Sequence, residues 1–449
     1  MSLTILGLGP GDPLQRTFEA EAALESAQRI LLRTGIHPGL DDLLANPRVC
    51  TCDDLYESID SFEAVYEAII ARALEYASQA DLVFAVPGNP LVGERTVSEL
   101  VRRANDLGVE TRVIPGISAI DVLAVALDVD PMAAEAQIID ATELQRWLDR
   151  EPFNGGLPDV SPTRPVLLAQ VYSPAVASAA KLALTLIFPD QHPVTIIRAA
   201  GVPGTEQVEQ RSLFELDRCA VDHLTSVWIE PLPELDATRA PMTLFRIAAR
   251  LRAPDGCPWD RKQSHASLRD TAIDEAYEVA SAIDDGDPNH LAEELGDLLL
   301  HVAMQAQIAE ESGTFSIGDV FDHVNRKLVR RHPHVFGNVA ADTPEAVVRT
   351  WNDVKAQERV DRGHAANDET DPFDRLPKSM PVMRRIAKLT QNDPSSDMTE
   401  AWVDLIAKEL LERVTALSSS GIDPEVALER AYRRSKQVIA ASGAASARE

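Results

Sequence analysis

At 449 residues the chain is too long for one compact core, and roughly 150 residues per domain gives about three. A composition of 45% apolar and 25% charged residues is globular and excludes a largely disordered chain. A formal charge of −28 excludes long-range attraction to nucleic acid or to an anionic membrane surface, so neither is expected as a partner.

In chain order, the N-terminal MSLTILGLGPGD runs straight into strand-like sequence, with no basic leader or cleavage site. No apolar run approaches the ~18 residues of a membrane span. A soluble, cytoplasmic protein is expected. Strands are predicted at Leu3 to Leu8, Leu82 to Val86, Thr111 to Ile114, Val166 to Val171, Val194 to Arg198 and Ser226 to Glu230. Helices are predicted over 17–27, 61–77, 96–106 and 174–187, an α/β alternation with a subdomain break in the Pro/Gly-rich stretch 152–165. Residues 231–241 read as a linker between a domain over 1–230 and a helical one over 242–360. A faint repeat (Pro241 to Leu251 against Pro381 to Leu389) suggests a second helical copy over about 366–440, with a frayed end at 440–449. The four cysteines are too scattered for a disulfide framework, and Cys50-x-Cys52 is not a zinc spacing.

Three strands run into glycine turns: Gly7-Leu-Gly-Pro-Gly11, Pro87-Gly-Asn-Pro90 and Pro115-Gly-Ile-Ser-Ala119. Such turns allow tight reversal and close ligand approach, although any one alone reads equally as a structural turn. Together they resemble the tetrapyrrole (corrin/porphyrin) methylases, which use S-adenosylmethionine. Gln170-Val-Tyr-Ser173 and Arg198-Ala-Ala-Gly-Val-Pro203 resemble more particularly the YabN-type fusion of such a domain to a MazG domain. The resemblance implies a cofactor pocket at Pro10, Gly88, Ile117, Ser118 and Ala119. Gly88-Asn-Pro90 departs from the methylases' usual Gly-Asp-Pro, removing a carboxylate near the cofactor.

The densest chemistry lies in Glu275-x-x-Glu278, fifteen residues, then Glu294-x-x-Asp297. Each i, i+3 pair shares a helix face. Asp287 is a plausible N-cap with Pro288 at the first helical position, so two helices are predicted about a turn at 284–289. The pairs mirror about residue 286, which sets Glu278 level with Glu294 and Glu275 with Asp297 in a tight antiparallel hairpin. Apolar stripes are expected at Ala272, Ala276, Val279 and Ile283, and at Leu291, Leu295, Leu298 and Val302. Carboxylates beside the almost wholly apolar stretch 295–309 are costly unless paired or coordinated. Neither helix carries Lys or Arg near them, and oxygen-only ligands select Mg²⁺ or Mn²⁺.

The spacing resembles the MazG nucleoside triphosphate pyrophosphohydrolases. So do Leu251 to His265, Arg330-Arg-His-Pro-His-Val-Phe-Gly337 and Trp351 to Arg359. The resemblance implies an all-α domain cleaving an NTP between its α and β phosphates, giving NMP and pyrophosphate, with Glu275, Glu278, Glu294 and Asp297 as metal ligands and catalytic groups. Phosphate charge beyond the metals needs cations. Lys355 and Arg359, i, i+4 on a helix, come first; Lys327, Arg330 and Arg331 come second and read equally as a solvated basic face. Trp259 and His265 suit either base stacking and orientation or helix packing and capping. His332 and His334 flank Pro333 and suit a structural turn. No second acidic set survives around 407–412, so the last repeat is expected to pack or dimerise, and the protein to be a homodimer of interlocked helices. Competing readings are a methyltransferase with an accessory helical half, or a regulator that senses S-adenosylmethionine.

Overall fold

The computed structural model describes residues 2–59, 61–149, 156–361, 376–390 and 400–434. Parts of the expected break (152–155) and of the second repeat, and all of 440–449, lie outside the described residues. The chain forms two compact units, Met1–Asp319 and Val320–Glu449.

The first unit opens with five parallel strands: β1 (Ser2–Gly7), β2 (Arg29–Leu32), β3 (Val49–Thr51), β4 (Leu82–Val86) and β5 (Glu110–Ile114), in the order β3-β2-β4-β1-β5. Helices cover its faces, so β4 is buried along its whole length and reads as an unbroken apolar run. Among them are α1 (Phe18–Ser26), α2 (Phe62–Gln79) and α3 (Arg95–Asp106). Thr17 and Ser61 cap α1 and α2 by accepting from Ala20 N and Ala64 N.

After α4 (Ala119–Leu127), a second sheet contains β6 (Gln137–Asp140), β7 (Val166–Ala169), β8 (Pro193–Arg198), β9 (Gln207–Ser212) and β10 (Thr225–Ile229), ordered β6-β7-β10-β8-β9. Only β6 and β7 pair parallel; the other pairs are antiparallel. Here α5 (Ala141–Leu148) and α6 (Pro174–Leu184) pack over the sheet in a core containing Leu144, Leu168, Phe188 and Ile229. Four strands carried no sequence expectation. β2, β3 and β6 are only three or four residues long, and β9, Gln207-Val-Glu-Gln-Arg-Ser212, is a polar edge strand.

Past Ile229 the described chain is helical: α7 (Pro241–Arg252), α8 (Arg269–Asp285) and α9 (Pro288–Glu311) belong to the first unit. The multidomain expectation, an α/β methylase-like half followed by helices, holds. Gly286 at φ +71 ends α8 in the left-handed conformation, and Asp287 caps α9 through Asn289 N and His290 N, with Pro288 at its first position. The packing face of α9 differs from the expected stripe. Leu295 and Val302 are exposed, while Ala303, Met304, Ala306 and Ala309 are buried, two of them beside Ala248 of α7 and Leu268. A helix apolar nearly all round does not encode its face by periodicity. In α8, Ala276 and Ile283 are likewise exposed.

From the helix α10 (Ile317–Arg331) onward the second unit contains α11 (Pro344–Asp361), α12 (Val382–Thr390), α13 (Glu400–Ser419) and a helix over 424–434. Arg331 lies 5.1 Å over the Trp351 ring, and Arg385, only 2% exposed, pairs with Glu429 at 3.0 Å.

Candidate active site

The α8–α9 hairpin gathers the acids. Carboxylate oxygens of Glu275, Glu278 and Glu294 all lie within 4.8 Å of one another. Glu294 is 9% exposed; its Oε1 is 3.0 Å from His290 Nε2, and its Oε2 is buried with no hydrogen-bond partner. A carboxylate oxygen held out of water without a donor is costly, and a cation is the partner this donor set fits. Burial pushes the Glu275 carboxyl above its ordinary range, reinforced by the charges of Glu278 and Asp297. Asp297 itself is exposed and stands outside the triad.

Two imidazoles join the cluster that the acidic pattern did not reveal. His301 Nε2 is 3.7 Å from Glu275 Oε1, while its Nδ1 is buried without a partner. His290 sits one turn before Glu294, and His301 sits one turn after Asp297 and two after Glu294. That i, i+4 and i, i+7 spacing was the available signal.

Of the other candidates in this unit, Trp259 is 66% exposed, and the His265 ring bonds Gln305 of α9. The basic candidates belong to the second unit. Lys355 is exposed on α11 and Lys327 on α10; Arg359 lies in α11, its side chain outside the described residues. Arg330 and Arg331 both pair with the buried Glu358 at 2.6 Å, which holds that carboxyl down at about 2. Their charge is therefore engaged within the fold. His332 accepts a structural role too, its Nδ1 2.7 Å from Leu328 O and its ring edge-on to Trp351.

In the α/β part, a cavity of about 1130 Å³ opens where loops leave the carboxyl ends of strands in both sheets, the usual ligand position in such architectures. Three glycine turns close one side of it. A Cβ on Gly7 would lie 2.3 Å from Gly88 O, and one on Gly116 would meet the same oxygen at 2.3 Å, so only glycine permits this backbone stacking. Asn89 Nδ2 donates to Gly116 O at 2.9 Å and Asn89 Oδ1 accepts from Leu91 N. The amide thus staples two of the turns with a donor that an ionised aspartate lacks. Pro10, Gly88 and Ala119 line the cavity. Ile117 and Ser118 do not: Ile117 packs against the Val122–Trp228 core, and Ser118 is spent capping α4, bonded to Asp121 in a capping box. Arg33 and His37, which follow the short β2, also line the cavity and carried no sequence signal. Burial lowers the His37 imidazole to about 4, and its Nε2 is buried without a partner.

Such a pair of halves defines a methylase-like domain fused to an acidic helical hairpin. Residues 2–217 match the family of Tetrapyrrole (Corrin/Porphyrin) Methylases, and residues 263–336 match the MazG nucleotide pyrophosphohydrolase domain. The chain is 38% identical over 390 residues to the protein YabN of Bacillus subtilis (strain 168), covering 86% of this chain and 76% of that one. It belongs to the YabN family of methylase–MazG fusions. It is also 46% identical over 143 residues to the nucleoside triphosphate pyrophosphohydrolase/pyrophosphatase MazG of Thermotoga maritima. With the nucleoside triphosphate pyrophosphohydrolase of Escherichia coli (strain K12) it shares 39% over 148 residues. The chain spans about half the length of these two relatives, 53% and 54%.

Proposed function

We infer that this protein is a metal-dependent nucleoside triphosphate pyrophosphohydrolase, converting NTP and water to NMP and diphosphate in the service of nucleotide-pool quality. The observation that carries the reading is the carboxylate triad with the buried, unpartnered Glu294 Oε2, on the segment that matches the MazG domain. Glu275, Glu278 and Glu294, with Asp297 beside them, are the residues that hold Mg²⁺ or Mn²⁺. When bound, the metal neutralises triphosphate charge and lowers the pKa of a coordinated water. Around it, His290 orients Glu294 as outer partners of ligating groups do, and His301 stands 3.7 Å from Glu275. Trp259 and His265 are proposed to meet the base, and Lys355 and Arg359 are proposed as phosphate-binding cations on the resemblance alone.

The domains of this reading are 1–230, a linker 231–241, the hydrolase 242–360 and a degenerate helical repeat 366–440. Among the described residues no helix is long and apolar enough to cross a membrane, in keeping with a cytoplasmic site of action. Exposed Tyr277, Ile283, Leu295 and Leu299 along the hairpin support a homodimer that covers them. A second reading, S-adenosylmethionine bound against Pro10, Gly88 and Ala119 for methyl transfer or for sensing, is favoured by the cavity at the strand ends.

The test is incubation of the purified chain with a panel of NTPs and Mg²⁺, beside Glu278→Ala, with separation of products. NMP and pyrophosphate from the unaltered chain alone is the expected result. NDP and phosphate would show the wrong bond is cut, and no turnover of any NTP would sink the reading.

A further inference from the structure

The charge of the α/β cavity bears on what it binds. Among the described residues its wall carries seven carboxylates, three arginines and no lysine. Each of those arginines already has a protein partner. Arg33 lies 2.8 Å from Glu94, whose side chain is 5% exposed. Arg95 pairs with Asp140 at 3.3 Å and Glu143 at 2.8 Å, and Arg146 pairs with Glu143. Each guanidinium on the described wall thus already faces a protein carboxylate, and the wall's carboxylates outnumber its arginines, which disfavours an anionic ligand.

A second feature points the same way. Phe62, Tyr66 and Tyr172 cluster on the wall, with ring centroids 6.2 Å apart for Phe62–Tyr66 and 5.8 Å, edge-on, for Phe62–Tyr172. Glu63 stands beside them at the start of α2, and Asp140 is near enough that its charge acts on the Tyr172 hydroxyl. Aromatic faces bordered by carboxylates are the surroundings in which organic cations are held. This corner is built from α2 and the segment after β7, not from the glycine turns.

We propose that the Phe62–Tyr66–Tyr172 corner of the cavity binds an organic ammonium ligand, and that the cavity rejects a macrocycle bearing several carboxylates. The ligand class follows from the engaged arginines, the surplus acids and the aromatic cluster taken together. It is independent of the hydrolase reading, which concerns another site.

Calorimetric titration of the full chain at physiological ionic strength tests it, with phenyltrimethylammonium as the cation probe and uroporphyrin as the polycarboxylate. Each is titrated with and without S-adenosylhomocysteine. The expected result is cation affinity at least tenfold above that of uroporphyrin, lost about tenfold in Glu63→Gln and in Phe62→Ala. S-adenosylhomocysteine should leave the cation's affinity within about twofold. Phe62 is 47% exposed and Glu63 is exposed, so neither change threatens the core. Uroporphyrin binding as tightly as the cation would overturn the proposal. Undiminished cation binding in both variants would assign it to the acidic surface at large and overturn it too. Competition by S-adenosylhomocysteine would place the cation in the cofactor's position, with the same consequence.

Discussion

In the two sheets of the α/β half Leu3, Phe84 and Leu168 are fully buried, whereas along the acidic hairpin Ile283 is 59% and Leu299 54% exposed. The two regions also treat charge differently. Each described arginine on the cavity wall has a carboxylate partner, while the clustered Glu275, Glu278 and Glu294 lie beside one another and beside His290 and His301. The first region is a self-sufficient scaffold whose sheets fix the shape of the site. The second concentrates repulsion and leaves apolar surface uncovered. A helix pair of that kind is stabilised by what binds it, so the proposed metal and the proposed dimer would each add to its stability.

The largest expected effect tests that linkage. Glu294→Gln should lower metal-dependent NTP turnover roughly 10³-fold, as loss of a group acting with its neighbours on one site does. Melting without metal should stay unchanged or rise, because a buried negative charge leaves a repulsive cluster. A variant that melts early in metal-free buffer yet turns over NTP normally would make the cluster structural. Next in size, Leu299→Glu should weaken self-association at least 100-fold, read by sedimentation as a shift from dimer to monomer. A persisting dimer would remove the hairpin from the interface.

On the other side of the comparison, Gly116→Ala should cost about 2–4 kcal/mol, because its Cβ meets Gly88 O at 2.3 Å and only backbone can move. Thermal unfolding followed from the α/β half reads it. Stability within about 0.5 kcal/mol of the unaltered chain would show that the three stacked turns yield easily, and that the cavity is less fixed than its sheets imply.

What the sequence revealed divides along the same line. The glycine turns and the hairpin turn are local signals: a left-handed Gly286, a capping Asp287 and a Pro288 act within a few residues. The methylase resemblance that those turns carry implied Pro10, Gly88 and Ala119, which line the cavity, along with Ile117 and Ser118, which do not. Arg33 and His37 did not, since they leave a four-residue strand, β2, whose Arg-Ile-Leu-Leu carries no alternation to recognise. The triad was legible because i, i+3 spacing survives any rotation of the helix. The buried face of α9 was not legible, since Leu and Ala occur on nearly every side and the neighbours decide. Arg330 and Arg331 read as free cations because their partner, Glu358, lies more than 25 residues away in α11.

The smallest effect concerns His37, half-buried in the α/β half and hydrogen-bonded to the Gly9 backbone. Its imidazole titrates near 4 in the folded chain against an ordinary 6.5. Between those values the unfolded chain binds the extra proton and the folded one does not, so stability falls as pH drops through that window. Above about 6.5 the group is neutral in both states and the contribution is flat. Partial exposure of the residue reduces the full shift to an expected loss of about 1–2 kcal/mol by pH 4.5. His37→Gln keeps a polar side chain without the titration, so its melting temperature should fall less than that of the unaltered chain between pH 7 and 4.5. Parallel curves for the two proteins would mean that the imidazole takes up its proton with water at hand, and that this side of the cavity is open to solvent.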